Sequence, residues 1–229
     1  MMRNLILGVT GMAFAIGFAD ASTGAAQEAE TRIDAQSRRV TPSGPQDVDT
    51  AVRVMNAYGR CVARNRPRVA SDILALPIRS EEQDAAVRRL FGGDDACLGG
   101  NEGSRLNFRA PLLVGAMAEG LLVDRYANVD LRPLAEMTDE TQAAVGLAPR
   151  TTFEDIALCV VRRDPETVRA IIRAQPASAQ ERAVIDRLVP HLGPCLPNGT
   201  TFTLGIPSLR ALLAAGLFRA LSVTRRGRN

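Results

Sequence analysis

Apolar residues follow helical spacing through most of the chain after residue 50. The clearest run lies on one face of a single helix and consists of Val184, Ile185, Leu188, Val189 and Leu192. That helix begins at a capping-box sequence, "SAQE" at Ser178, and the same signal, "SEEQ", occurs at Ser80. A third start signal is Asp164 followed by Pro165, because Asp caps a helix N-terminus and Pro fits the first turn. The pattern predicts a mainly helical protein.

Two short segments alternate between polar and apolar residues instead. They are "RLNF", which starts at Arg105, and "TFTL", which starts at Thr201. Alternation with a period of two predicts one short β-strand in each segment. We expect these two strands to pair with each other across a pseudo-twofold axis.

Each alternating segment is followed by a helix that is apolar nearly all round and begins at Pro111 or Pro207. Their length argues against membrane spans, and so do three charged residues within them: Glu119, Arg210 and Arg219. We therefore expect two buried central helices. Gly120 and Gly216 are predicted to mark close helix contacts, since a glycine within a helix otherwise costs about 1 kcal/mol.

The two halves of the chain resemble each other. A shift of 98 positions aligns "CVARNRP" at Cys61 with "CVVRRDP" at Cys159, and it also pairs Cys97 with Cys195. The aligned stretch contains ten identities, and the match resumes after a two-residue slip at Pro111/Pro207 and Gly120/Gly216. Chance explains this poorly, because both cysteines, a proline and a helix cap coincide. The sequence predicts a tandem duplication of a module of roughly 80 residues.

The predicted architecture is mainly α, with two copies of a four-helix, disulfide-stapled module that has one short β-strand per copy. Two modules rarely form a stable repeat array alone, so we expect them to pack as one pseudo-twofold helical domain. The predicted segments are a signal peptide (1–21), a disordered leader (22–46), helical module 1 (47–128), a linker (129–151), helical module 2 (152–224) and a basic tail (225–229).

The N-terminus has the features of an export signal. Arg3 supplies the positive charge, residues 5–18 form an uncharged apolar run, and Ala19-Asp20-Ala21 has the small-x-small form of a cleavage site. The run is shorter than the roughly 20 residues that a membrane-spanning helix needs. The sequence predicts a periplasmic or secreted protein with no transmembrane span after signal cleavage.

The four cysteines suit that destination, because disulfides persist in oxidising compartments. Four cysteines allow three connectivities. Since the pair is copied with the module, we predict Cys61–Cys97 and Cys159–Cys195. The alternative is a redox or metal site. It is disfavoured because there is no Cys-x-x-Cys and only one histidine.

No catalytic, cofactor-binding or metal-binding residue is predicted. The glycine-rich stretch 92–103 contains oxygen ligands that suit a hard cation, namely Asp94, Asp95, Asn101 and Glu102. The second copy keeps no acid there, so we interpret the stretch as a solvated turn around a disulfide. His191 is the single imidazole and has Gly93 as its counterpart, and we interpret it as a helix-end residue.

Arginine supplies every positive side chain, and the 28 basic residues are nearly balanced by 25 acids. The small net charge of +3 and the few aromatic residues argue against a nucleic-acid partner. Arg64 and Arg162 recur just past the first cysteine of each copy. They are candidate interaction residues for an acidic partner. The interpretation we prefer is that each binds the last carbonyls of its own helix.

The pattern C-V-x-R…P…C, followed by a Pro-initiated apolar helix and present twice after a signal peptide, resembles secreted proteins of sphingomonad-type, GC-rich bacteria. The resemblance covers most of the chain after residue 50. It implies export and duplication, and it implies no activity, cofactor or functional residue.

Three function classes remain from the sequence. The leading hypothesis is a non-catalytic interaction or structural module of the cell envelope, with another envelope protein as partner. The alternative is a binder of a small apolar ligand, which requires a cavity between the two Pro-initiated helices lined by Leu112, Leu113, Leu212 and Leu213. An enzyme is the least favoured class, because function depends on specific sites and none is visible.

Overall fold

The computed structural model describes residues 32–35, 38–40, 45–90, 96–98, 105–107, 109–197 and 203–226. Helices dominate these ranges, which confirms the mainly helical prediction. The α-helices are α1 (Pro45–Asn65), α2 (Pro67–Ala75), α3 (Glu81–Leu90), α4 (Ala110–Tyr126), α5 (Arg132–Ala135), α6 (Asp139–Ala144), α7 (Thr152–Arg163), α8 (Pro165–Arg173), α9 (Ala179–Leu192) and α10 (Ile206–Arg226). The predicted signal peptide lies outside the described residues.

The predicted helix caps of the second half are present. The Asp164 carboxylate accepts a hydrogen bond from the Thr167 N–H at 3.0 Å, and the Ser178 hydroxyl accepts one from the Glu181 N–H at 3.1 Å. Each bond satisfies a backbone donor that the first turn of a helix leaves without a partner. Local sequence signals therefore set the starts of α8 and α9.

The turns before α3 and α9 differ from the predicted capping boxes. Glu181 does not return to the N–H of its own cap residue but accepts a hydrogen bond from the Ala177 N–H at 2.7 Å. Before α3, the Gln83 side chain accepts one from the Arg79 N–H at 2.9 Å. Ala177 and Arg79 have φ of 55° and 61°, so both turns use left-handed backbone at a non-glycine residue. The side-chain bond from the third helical residue stabilises this conformation.

Two helices, α4 and α10, form the centre of the fold. α4 packs against α1 and α10, and α10 packs against α4 and α7. A Cβ added at Gly115 would lie 2.3 Å from the Cα of Ala211, so the α4–α10 crossing requires glycine. Added Cβ atoms at Gly120 and Gly216 would lie 2.8 Å and 2.7 Å from the Cβ atoms of alanines in α1 and α7. The prediction that these two glycines mark close helix contacts is confirmed.

α10 is long and apolar enough to cross a membrane by length and composition, yet 72% of the stretch Ile206–Arg225 is buried inside the protein. Two of its arginines, Arg210 and Arg219, are buried as well. Both bind carboxylates of other helices. α10 is therefore a central core helix, as expected from the sequence.

A buried ion-pair network joins the two halves at Arg210. Its guanidinium binds both carboxylate oxygens of Glu119 on α4, at 2.6 and 2.7 Å, and one oxygen of Glu181 on α9, at 2.9 Å. The same group donates to the carbonyl oxygens of Ile171, Ile172 and Ala174, at or just past the end of α8. Arg210, Glu119 and Glu181 are each at most 3% exposed in their side chains. Burial by itself lowers the pKa of Arg210, but the two carboxylates raise it above its ordinary value.

Both predicted disulfides are confirmed. Cys61–Cys97 joins α1 to the 3₁₀ turn Ala96–Leu98, and Cys159–Cys195 joins α7 to the 3₁₀ turn Gly193–Cys195. In each half the bond ties the end region of one helix to the turn that follows the third helix. No cysteine remains free.

The predicted linker 129–151 is a folded part of the core. It contains α5 and α6, and three of its leucines are at most 2% exposed: Leu131, Leu134 and Leu147. α5 packs against α7 and α8, and one hydrophobic cluster includes residues of both halves and of this segment. The segment that links the two halves therefore packs with them, because these leucines bury apolar surface.

The strands differ from those expected. β1 (Arg32–Ala35), β2 (Arg38–Val40) and β3 (Arg105–Asn107) form an antiparallel sheet in the order β2-β1-β3. Two of these strands lie in the segment predicted as a disordered leader. β1 pairs with β3 in the register Ile33 to Leu106. Thr203 and Leu204 form no strand, and the first two residues of the 201–204 segment are outside the described ranges. Within those ranges, β3 pairs with β1, and the predicted pairing of one strand from each copy is not found.

Candidate functional site

An open cleft of about 960 Å³ lies on the described part of the protein. It lies between α2, the end of α4, the turn at residues 145–150 and the last part of α10. Four guanidinium groups line it: Arg125, Arg150, Arg219 and Arg225. We call this cavity the arginine cleft.

Helix geometry explains why these side chains meet. Arg125 is in the last turn of α4 and Arg225 is in the last turn of α10, where a cation is favoured by the helix dipole. Phe218, Ser222 and Arg225 are spaced by four and three residues, so they lie on one face of α10. The two central helices therefore bring their C-terminal ends to the same cleft.

Two of the four arginines are held by a buried carboxylate at the floor of the cleft. Glu154, which is fully buried, accepts hydrogen bonds from the Arg150 guanidinium at 2.8 Å and from the Arg219 guanidinium. The Ile78 N–H donates to it at 3.0 Å. Burial by itself raises the pKa of Glu154, but the Arg150 side chain, the N–H groups of Ile78 and Arg150 and the Arg219 charge outweigh burial and lower it.

The other two arginines are exposed and bind no carboxylate in the described part of the chain. Arg125 donates to the Ser71 hydroxyl at 3.2 Å, and the Arg225 guanidinium lies 5.9 Å from the centre of the Tyr126 ring. Asp72 is the single carboxylate that lines the cleft among the described residues. Four arginines therefore face Asp72 and the buried Glu154, which leaves an excess of two positive charges. Arginine forks suit phosphate and carboxylate groups.

An aromatic pair forms one wall of the cleft. The rings of Tyr126 and Phe218 meet edge to face with their centres 6.1 Å apart. Tyr126 also lines a second, smaller cavity of about 100 Å³. Most of the lining of that cavity is apolar, and we call it the apolar pocket: Leu122, Val123, Ala127, Leu131, Leu217 and Leu221. One tyrosine ring thus separates a cationic cleft from an apolar recess.

Glu154 makes stability depend on pH. Because its pKa is lower in the folded protein than its ordinary value of 4.5, the unfolded chain binds the proton more tightly. The stabilisation is therefore fully present above pH 4.5 and is lost as the pH falls through the folded pKa. We expect the unfolding free energies of the wild type and of Glu154→Gln to differ most near pH 7 and to converge below pH 4.5. Urea unfolding followed by circular dichroism at each pH measures this difference. A constant difference would contradict the assignment.

The residues predicted from the sequence as interaction candidates lie elsewhere. Arg64 is exposed in the last turn of α1. Arg162 donates to the Met137 carbonyl at 3.2 Å and lies 2.6 Å from the Asp139 carboxylate. Our interpretation that Arg162 binds the carbonyls of its own helix is therefore wrong, because the folded 129–151 segment supplies its partners. Neither arginine lines the arginine cleft.

The other residues considered from the sequence form no site. His191 is partly exposed at the end of α9, with its Nε2 3.8 Å from an Asp164 oxygen that belongs to a helix cap. Asp94, Asp95, Asn101 and Glu102 lie outside the described residues. Among those described, no group of three or more His, Cys, Asp or Glu side chains is arranged to hold a metal ion.

The cavity required for an apolar ligand between the Pro-initiated helices is filled. Leu113 and Leu213 are fully buried, and Leu112 and Leu212 are each 5% exposed. The two cavities next to Leu112 and Leu212 measure about 10 Å³ each, which is about the space of one water molecule. This packing argues against that alternative.

Sequence reasoning did not single out the four arginines of the cleft as a group. One signal was present: Arg219 and Arg225 occur in a helix that is otherwise almost entirely apolar. Arg125 and Arg150 come from a helix end and a turn more than 60 residues away, so only the packing of α10 brings them together.

No family model, no curated protein and no solved structure matches this chain significantly. The resemblance to secreted proteins of sphingomonad-type bacteria therefore stays a prediction. The site is interpreted from its own geometry.

Proposed function

We propose that this chain is an exported, non-catalytic interaction module of the cell envelope that binds an acidic component in the arginine cleft. The observation that carries the proposal is the cleft itself, where four guanidinium groups face one lining carboxylate. Two of those guanidinium groups, on Arg125 and Arg225, are exposed and have no carboxylate partner among the described residues. Exposed arginines of this kind attract acidic partners and set their orientation.

Two features support the exported, periplasmic or secreted location. Two disulfides within one chain are typical of proteins in an oxidising compartment. The first 21 residues have the charge and apolar pattern of a signal peptide. Our expectation that the partner is an envelope protein stays a prediction, which the mass of the bound component tests.

We also infer that the module arose by tandem duplication. Both disulfides close loops with a sequence separation of 36, and four helices occur in the same order in each half. Arg79 and Ala177, the two non-glycine residues with positive φ in the described ranges, are 98 positions apart, as the aligned cysteines are. The arginine cleft breaks this symmetry, because its arginines have no equivalent set in the other half: Val123 and Leu221 are the residues that the alignment pairs with Arg219 and Arg125.

Charge reversal at the cleft tests the proposed function. The tagged wild type and Arg125→Glu/Arg225→Glu are purified gently from the envelope of the native host and weighed by native mass spectrometry. We expect the wild type to carry an added mass that the variant lacks, because reversal turns attraction into repulsion at the exposed arginines.

Arg182→Glu/Arg187→Glu is the matched control. It makes the same change of charge at two exposed arginines of α9, which line no part of the cleft. The control is expected to keep the added mass. Loss of the added mass in both variants would show that overall charge, rather than the cleft, retains the partner. An added mass that survives charge reversal at the cleft would contradict the proposal. A protein-sized increment supports an envelope protein, and a small fixed increment supports a small acidic ligand.

A further inference from the structure

We infer that the acidic component is an anionic amphiphile, that is, a phosphate or carboxylate group attached to an apolar chain. This inference rests on the proposed function and names the chemical class bound at the same site. It follows from the arginine cleft and the apolar pocket together, since Tyr126 lines both.

The polar part of the ligand is set by Arg125 and Arg225. Both guanidinium groups are exposed in the cleft and face no carboxylate partner in the described ranges. The Ser71 hydroxyl accepts from Arg125 and donates its own hydrogen to the Pro67 carbonyl at 2.7 Å, so it orients Arg125 and leaves the ligand to the guanidinium groups. Two forked cations suit an oxyanion with several acceptor oxygens.

The apolar part of the ligand is set by the apolar pocket, which Tyr126 also lines. The apolar pocket is formed by aliphatic side chains of α4 and α10 and by Leu131. Its polar lining residues are already engaged, because Arg169 donates to the Val129 carbonyl at 2.7 Å and Arg173 to the Ala127 carbonyl at 2.6 Å. The pocket therefore offers mainly apolar contact, with the Arg169 charge balanced by Glu166 and the Arg173 guanidinium bound to a carbonyl oxygen.

The arginine cleft and the apolar pocket together favour binding of an amphiphile over binding of a free anion. An inorganic anion uses the guanidinium groups alone and leaves the aromatic wall and the apolar pocket in contact with water. A chain that passes Tyr126 removes that apolar surface from water, and burial of about two methylene groups already strengthens binding about tenfold. A neutral amphiphile leaves the two exposed arginines without a counter-charge.

Four small probes test the inference on the purified, disulfide-bonded protein by isothermal titration calorimetry. Methyl phosphate carries the head alone, octyl phosphate and octanoate carry a head and a chain, and octyl glucoside carries a chain without charge. We expect octyl phosphate or octanoate to bind at least tenfold more tightly than methyl phosphate and octyl glucoside. Equal affinity of methyl and octyl phosphate, or no binding of either octyl anion, overturns the inference.

Two kinds of variant separate the head site from the chain site. Arg125→Ala/Arg225→Ala is expected to weaken octyl phosphate at least tenfold, whereas Arg182→Ala/Arg187→Ala leaves it unchanged. Ala127→Phe fills the apolar pocket from an exposed position, and it is expected to reduce octyl phosphate to the affinity of methyl phosphate. Val123→Phe, at a second exposed position of the pocket, is expected to do the same. It keeps the test valid if Ala127→Phe does not fold. Unchanged octyl phosphate binding in both phenylalanine variants overturns the chain site.

Vesicles distinguish a lipid in a bilayer from a dissolved ligand. Co-sedimentation with phosphatidylglycerol vesicles, but not with phosphatidylcholine vesicles, identifies a membrane lipid as the source. Octyl phosphate binding without co-sedimentation identifies a dissolved amphiphile. If no octyl anion binds while charge reversal still removes the envelope component, this inference fails and the proposed function stands. If charge reversal also has no effect, both fail.

Discussion

Replacement of Arg210 by methionine lowers the free energy of unfolding by about 3–5 kcal/mol, the usual cost of breaking a buried ion pair by removing one partner. The substitution leaves the buried Glu181 without a guanidinium, and it leaves the buried Glu119 with only a longer contact to Arg60 at 3.4 Å and the Asn56 amide at 2.9 Å. It also removes the donors to three carbonyl oxygens around the end of α8. Urea unfolding of the purified variant at pH 7 measures the loss.

The matched control is another arginine in a close ion pair, at the surface. Arg132 binds the Asp130 carboxylate at 2.7 Å, and its side chain is 82% exposed. Arg132→Met is expected to unfold at nearly the same urea concentration as the wild type, because water and ions replace an exposed pair at little cost. Similar losses in Arg210→Met and Arg132→Met would show that burial is not what makes the Arg210 network important.

A second variant shows whether the loss comes from the unpaired carboxylate. The alignment of the halves places Val114 and Ala215 at the positions of Arg210 and Glu119. Glu119→Ala/Arg210→Val therefore replaces each charged residue by the apolar residue that the other half has at the equivalent position. We expect this double variant to be more stable than Arg210→Val alone, since it removes a buried charge together with its partner. A double variant less stable than the single one would contradict this account.

Removal of one disulfide is the other change with a large expected effect. Cys159→Ala/Cys195→Ala is expected to cost about 4 kcal/mol on the chain-entropy account, because the bond closes a loop with a sequence separation of 36. Cys61→Ala/Cys97→Ala removes a bond that closes a loop of the same length, and it is expected to cost a similar amount. Urea unfolding of both double variants and of the wild type, without reductant, measures the two effects.

The two disulfide variants serve as controls for each other. If loop closure dominates, both variants lose stability by similar amounts, and treatment of the wild type with a reductant lowers its stability below that of either variant. A large loss in one half with none in the other would show that local packing sets the effect. Buried Cys195 would then be the first position to examine, since Cys97 is less buried.

The elements predicted correctly from the sequence depend on neighbouring residues or on a repeated spacing. Asp164 and Ser178 cap their helices because the bonds they accept span three residues. The disulfide pairing followed from cysteines repeated at one spacing. Gly120 and Gly216 were recognised as close contacts because a glycine in an apolar helix needs a packing reason. The helix caps and the glycines required no knowledge of the other half of the chain, whereas the disulfide pairing came from a comparison of the two halves.

The helical content, the helix starts and the cysteine pairs could be predicted from the sequence, because they depend on local hydrogen bonds and on spacing. Three other features depend on tertiary packing: the 129–151 segment belongs to the core, β3 pairs with the leader, and Arg162 binds Asp139. The arginine cleft belongs with these. Its four arginines come from three separate parts of the chain: α4, the turn before α7 and α10. Their meeting depends on how α4 crosses α10 at Gly115, a long-range contact that no local pattern encodes.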